Sequence, residues 1–180
     1  MLKKILIAIA VVVVGLVAVI AMQPATFAVS RTASIAAPPA DVFALVNDFH
    51  KWDSWSPWAK LDPAIKTTFQ GASSGTGAIY AWVGNDKVGE GRQTILESKA
   101  GELVRIKLEF VKPFASVADT GFAFVGAGNG TTVTWIMKGE NNFVSKGFCL
   151  FMGGMDRMIG PDFDRGLAQL KAVAESAAQK

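Results

Sequence analysis

Between Ile65 and Met137 the chain runs through six short segments rich in β-branched and aromatic residues: "IKTTFQ", "GAIYAWV", "EGRQTILES", "LVRIKLEF", "SVADTGFAFV" and "TTVTWIMKG". The turn formers "GASSGTG", "GNDKVG", "KAG", "KPF" and "GAGNG" separate them. That punctuation predicts six antiparallel strands in a meander. In "LVRIKLEF" the parity is clean: Val104, Ile106, Leu108 and Phe110 share one face, and Arg105, Lys107 and Glu109 share the other. A sheet with one apolar and one wet face must be covered on its apolar side by another element.

The flanks supply that cover. Before the meander, "FAVSRTASI" alternates, with Phe27, Val29, Ala33 and Ile35 on one face, so it predicts a seventh strand in which Arg31 falls on the apolar side. Pro38 and Pro39 suit a helix start, and Val42, Leu45, Val46 and Phe49 follow at helical spacing before an end at Asn47 to Lys51. After Gly139 the period is helical again, with a stripe through Val144, Phe148, Phe151, Met152, Met155 and Ile159, continuing through Phe163, Leu167, Leu170 and Ala174. Gly160 and Pro161 predict a kink or a break there, and Asp162 and Asp164 favour a fresh helix start.

The first 24 residues obey a different rule. Ile5 to Met22 is an unbroken apolar run led by Lys3 and Lys4, and about 18 to 20 such residues cross a bilayer as a helix. A cleaved leader usually has an apolar core of only about 7 to 15 residues, so the run favours a retained anchor over a processed signal. The two leading lysines place the remainder of the chain across the membrane, by the positive-inside rule. The expectation is therefore a single-pass protein of the inner (cytoplasmic) membrane of a bacterium. Residues 1–24 form the anchor, joined through "MQPAT" to a domain of residues 25–180 that faces the periplasm or the cell exterior.

Composition removes several functions. The formal charge of +3 falls to +1 without Lys3 and Lys4, and no basic stripe points to nucleic acid. One cysteine, Cys149, excludes an intrachain disulfide and reads as a buried apolar thiol. One histidine, His50, with that distant cysteine does not make up the usual zinc ligand set, so no metal and no cofactor is expected. His50 lies at a helix end with no acid or nucleophile placed in sequence to orient it, which favours a surface or capping role. "GASSGTG" and "GAGNG" lie between strands and lack the context of a phosphate loop.

The order strand, helix, six strands and long C-terminal helix, with "IAAPPADVFALVNDFHKWDSWSPW" near its start and "MDRMIGPDFDRGLAQLKAVAE" at its end, resembles the START-like or SRPBCC superfamily. The likeness is to its polyketide cyclase/dehydrase-like branch and covers Phe27 to Glu175. The resemblance implies an α+β helix-grip fold, in which a curved seven-stranded antiparallel sheet wraps a long C-terminal helix and leaves an apolar cavity between them. Relatives of that kind bind lipids, sterols, polyketides or plant hormones, and a minority are aromatase/cyclases or hydrolases.

Within such a grip the candidate ligand contacts are Trp82, Phe110, Phe122, Phe124 and Trp135 on the sheet and Met152, Met155 and Phe163 on the helix. Each is also a natural core residue. Trp52, Trp55 and Trp58, spaced by three, close the core, or Trp55 forms part of a cavity wall. Arg31, Glu90, Arg92 and Asp119 are polar residues that stand out. Glu90 and Arg92 share a strand face and suggest a mutual ion pair, and Arg31 suggests either an anchor for a ligand carboxylate or phosphate, or a strand-end residue in water. No residue is assigned a catalytic role. Three readings stay open: a membrane-tethered module for a small hydrophobic or amphipathic molecule such as a lipid or polyketide, an enzyme of the cyclase or hydrolase kind, and an envelope interaction or stress-response domain with a filled core. The oligomeric state is not legible from the sequence.

Overall fold

Seven strands form one antiparallel sheet: β1 (Thr26–Ile35), β2 (Lys66–Gly71), β3 (Ala78–Val83), β4 (Glu90–Lys99), β5 (Leu103–Lys112), β6 (Ser116–Ala127) and β7 (Gly130–Glu140). Their order across the sheet is β1-β7-β6-β5-β4-β3-β2, so β2 to β7 are a meander and β1 closes the far edge beside β7. The structure is a computed structural model that describes residues 1–178; the last two residues of the expected 25–180 domain lie outside it. The helices are α1 (Leu2–Ala21), α2 (Pro39–Val46), α3 (Phe143–Met152) and α4 (Met155–Ala178), with a 3-10 turn at Phe49–Ser54. This is the α+β helix-grip architecture.

The strands follow their alternation. In β5 the inward Val104, Ile106 and Leu108 are buried, and in β1 Val29 and Ile35 are buried while Thr26, Ala28, Ser30, Thr32 and Ser34 are exposed. Helix α4 lays Phe163, Leu167, Leu170 and Ala174 against that inner face, all nearly without exposure. The edge strand β2 buries none of its residues.

Three local expectations are corrected. The first helix stops at Val46, and Phe49 instead opens the 3-10 turn, because Asp48 turns extended and its side chain caps the next segment by accepting from the His50 N–H. The C-terminal break falls at Gly153 and Gly154, not at Gly160 and Pro161. Both glycines take the left-handed backbone that side chains resist (φ 82° and 96°), and both their N–H groups bond back to the Cys149 carbonyl. Pro161 is carried inside α4, where Gly160 has no Cβ to collide with the proline ring. Thirdly, Cys149 is half-buried on α3 rather than a core thiol.

Register shows which end of the sheet faces α1. Phe27 pairs with Gly139, Gly139 with Ala118, and two residues before Ala118 lies Ser116, which pairs with Phe110; Phe110 then pairs with Gly91, and Gly91 with Trp82. The N-terminal end of β1 and the residues Phe110 and Trp82 therefore share one end of the sheet. Only Met22 to Ala25 separate α1 from β1.

Candidate functional site

At that same end the grip is not filled. A cavity of about 190 Å³ lies between the sheet, the 3-10 turn and α4, lined by the apolar residues Trp82, Leu108, Phe110, Met137, Ile159 and Phe163. Trp52, Trp58 and Tyr80 add aromatic wall, and Asp53, Ser56, Lys87 and Gln93 are its polar members. The volume lies below the roughly 300 to 1,000 Å³ of drug-sized pockets.

The tryptophan cluster is placed by its N–H groups. Trp52 donates to the Val46 carbonyl at 2.9 Å and Trp55 to the Leu45 carbonyl at 3.1 Å, which ties the 3-10 turn to the end of α2. In a 3-10 turn, residues three apart eclipse one another, and the Trp52 and Trp55 rings meet at 4.8 Å. Trp55 is fully buried, edge-on to Phe122 and Trp135, so it lies behind the wall that Trp52 and Trp58 present. Trp82 donates to the Val88 carbonyl at 2.9 Å, which orients its ring edge-on to Phe110 at 5.9 Å.

The proposed contacts thus separate into groups. Trp82, Phe110 and Phe163 line the cavity. Phe122, Phe124, Trp135 and Trp55 are packed in the core outside it. Met155 packs partly buried against that core, and Met152 lies on α3 with 54% of its surface exposed, away from the grip. Arg31 is not at the cavity: its guanidinium bonds Asp156 at 2.7 Å and Asp164 at 3.2 Å, both on α4. Two carboxylates already occupy the fork that a ligand anion would need. It passes over Gly160, where any side chain would collide with it, and so clamps β1 to the helix.

Asp119 is exposed on β6, whereas the remaining polar residues singled out find protein partners. Arg92 bonds Glu109 on the neighbouring strand at 2.8 Å, and Glu90 pairs with Lys112 at 2.7 Å, so the expected Glu90–Arg92 pair does not form. His50 caps with Asp48 and stacks on Phe69 at 4.0 Å.

One residue that parity arguments passed over is Gln93. It sits between inward Gly91 and buried Ile95 on β4, pairs in register with Tyr80, and lines the cavity. Its Oε1 is buried with no hydrogen-bond partner among the described residues. A buried acceptor left unpaired costs about 1 to 3 kcal/mol. The sequence signal of Gln93 is a polar side chain in phase between Gly91 and Ile95. Across the strand, burial and then the nearby Asp53 push the Tyr80 hydroxyl up; a phenol is a proton donor at neutral pH with or without that shift.

The Arg31 clamp carries a pH dependence. The hydrogen bond from Arg31 holds the Asp156 carboxyl below its usual range, and Lys171, then the Ala36 N–H, do the same for Glu175. A carboxyl depressed in the folded state contributes stability that is present above its unfolded pKa and is lost as pH falls through the folded one. The melting temperature should therefore fall on acidification below about pH 4, and Arg31→Met should remove Asp156's share of that acid limb while lowering the neutral plateau. An unchanged acid limb in the variant would show that the clamp does not couple to folding.

Comparison with known proteins bears on the fold. A model of the family described as polyketide cyclase / dehydrase and lipid transport matches residues 26–175. No curated protein matches the chain in sequence. Among solved structures it is similar to a protein of Thermobifida fusca (21% identity, TM-score 0.60, covering 80% of this chain and 90% of that one). It is also similar to one of Chromobacterium violaceum (16%, TM-score 0.56, 85% and 99%). A third likeness is to the di-domain ARO/CYC StfQ of the steffimycin biosynthetic pathway (11%, TM-score 0.62), of which it covers 53% against 87% of its own length. At these identities the likeness is one of fold. The match of the family model over nearly the whole region from β1 to α4 means that the chain belongs to the polyketide cyclase / dehydrase and lipid transport family.

Proposed function

We propose that this protein is a membrane-tethered binding module that holds one small hydrophobic or amphipathic molecule in the cavity between sheet and α4. The observation that carries this reading is the cavity itself: an aromatic and aliphatic wall around one unpartnered buried acceptor, Gln93 Oε1. Apolar enclosure supplies affinity, and a few polar groups, Gln93 first among them, fix orientation. The volume favours a compact ring system or single short chain over a two-chain phospholipid. A ligand with one hydroxyl or N–H set against an apolar body matches the wall.

The tether is α1, 20 residues long and thus about 30 Å at 1.5 Å per residue, the thickness of a bilayer core. Of these residues only Ile20 is buried against the rest of the protein, whereas a core helix would be covered on at least one stripe. With Lys3 and Lys4 held in the cytoplasm, the domain hangs on the far side of the membrane.

The test is to purify the full chain in mild detergent and compare its intact mass under native and denaturing conditions, extracting whatever is released. A stoichiometric adduct of a small amphipathic molecule is expected. A clean apo mass that persists after incubation with a membrane extract would overturn the binding reading.

A further inference from the structure

Helix α3 is well formed but buries none of its side chains. Asn142 caps its start by accepting from the Ser145 N–H at 2.8 Å, and Gly153 closes its end. Its outer face nonetheless presents Phe143, Val144, Phe148, Phe151 and Met152, each exposed by between 46% and 72%. Val144, Phe148, Phe151 and Met152 follow one another at i, i+4, i+7 and i+8, a single stripe. The β5–β6 connection extends the patch, since Phe114, itself 51% exposed, meets the Phe148 ring at 5.8 Å. Contiguous aromatic surface of this kind is costly in water, at roughly 25 cal/mol per Å² of apolar area, and marks a surface that is covered in use.

What covers it follows from where it sits. The Lys146 ammonium on α3 donates to the Ala21 carbonyl, the last residue of α1, at 3.1 Å, and Gly147 lies against Ile20. The patch is therefore level with the end of the apolar helix, where a membrane crossed by α1 has its surface. At ten residues α3 is about 15 Å long and too short to cross. We infer that α3 lies in the plane of the bilayer that α1 crosses, with Phe148, Phe151 and Met152, together with Phe114, sunk into the boundary between headgroups and acyl chains. Interfacial helices bury such a face by about 5 to 10 Å. The inference rests on α1 being a membrane span. Its consequence is geometric: Trp82 and Phe110 of the cavity wall lie at the sheet end into which α1 runs, and so at the end nearest the lipid surface.

The test uses the full chain in phosphatidylcholine vesicles with one nitroxide label at a time, in a Cys149→Ala background. Labels replace Phe151 on α3, Val12 on α1 and Val125 at the opposite end of the sheet, all exposed positions. Oxygen partitions into acyl chains and a nickel chelate into water, so their relative effect on each label reports its surroundings. The ratio of oxygen to nickel accessibility at position 151 is expected to rise severalfold above that at 125, as at 12. A lipid signal at 12 with a nickel-accessible label at 151 would overturn the inference and leave the tether standing. Protection of 151 from both reagents would also overturn it, in favour of a second copy of the chain on this face. Water at both 12 and 151 would sink tether and docking together.

Discussion

Replacing Trp135 by alanine is expected to lower the unfolding free energy by about 3 to 5 kcal/mol, the range for emptying a large aromatic site in a packed core. The ring is 2% exposed and belongs to a continuous aromatic stack, parallel to Phe163 at 4.0 Å and to Phe122 at 4.7 Å, with Trp55 and Trp58 edge-on at 5.9 and 5.8 Å. Gly166 of α4 makes the notch that admits it, since a Cβ there would stand 2.7 Å from the indole. Its N–H donates to the Thr120 hydroxyl at 3.1 Å, which in turn donates to the Ile136 carbonyl at 2.9 Å. Truncation therefore removes ring contacts on several sides and leaves a void behind Phe163, whose ring lines the cavity. Chemical denaturation of the full chain in detergent, followed by the remaining tryptophans, measures the loss. A cost below about 1.5 kcal/mol would mean that the neighbours collapse into the space. Met152→Ala, at an exposed site in the same experiment, should stay within about 0.5 kcal/mol of the parent.

The Gln93→Leu substitution should move stability and binding in opposite directions. Leucine occupies nearly the same space and removes an acceptor that is buried and unpartnered, so folding stability should hold or rise, because the desolvation cost of that acceptor disappears. A molecule held in the cavity should meanwhile be retained about tenfold less well, equivalent to about 1.4 kcal/mol, since it loses the buried acceptor proposed to orient it inside the apolar wall. Native mass spectrometry of the two proteins under matched conditions gives the occupancy, and thermal denaturation gives the stability. Loss of both together would show that Gln93 holds the fold through a protein partner. Unchanged retention would remove it as the anchor and leave Tyr80, its cross-strand neighbour, as the orienting group.

The Gln93 comparison gains force from the rest of the cavity's polar groups. Tyr80, next to it, is a phenol donor at neutral pH, while Asp53, Ser56 and Lys87 add polar groups elsewhere around the same space. Gln93 and Tyr80 thus place an acceptor and a donor side by side on adjacent strands of the cavity wall.

What the sequence by itself determined is whatever depends on backbone period and turn chemistry. The strands and the inward face of β5 were readable because alternation and glycine-rich turns act within a few residues. The start of α2 at the proline pair, the burial of the C-terminal stripe from Phe163 to Ala174 and the length of α1 were readable for the same reason. Tertiary structure alone decided what each inward side chain meets. Trp82 and Trp135 look alike in sequence, yet one edges an empty space and the other is enclosed by rings from the 3-10 turn, β6 and α4. Arg31 reads as a free cation until Asp156 and Asp164, more than a hundred residues on, are folded against it. The stripe from Val144 to Ile159 reads as one helix face, but the left-handed glycines at 153 and 154 turn its first half away from the grip and toward α1. Period records which way a side chain points from its own backbone; where elements cross, and so what lies opposite, is decided by long-range packing that no local pattern encodes.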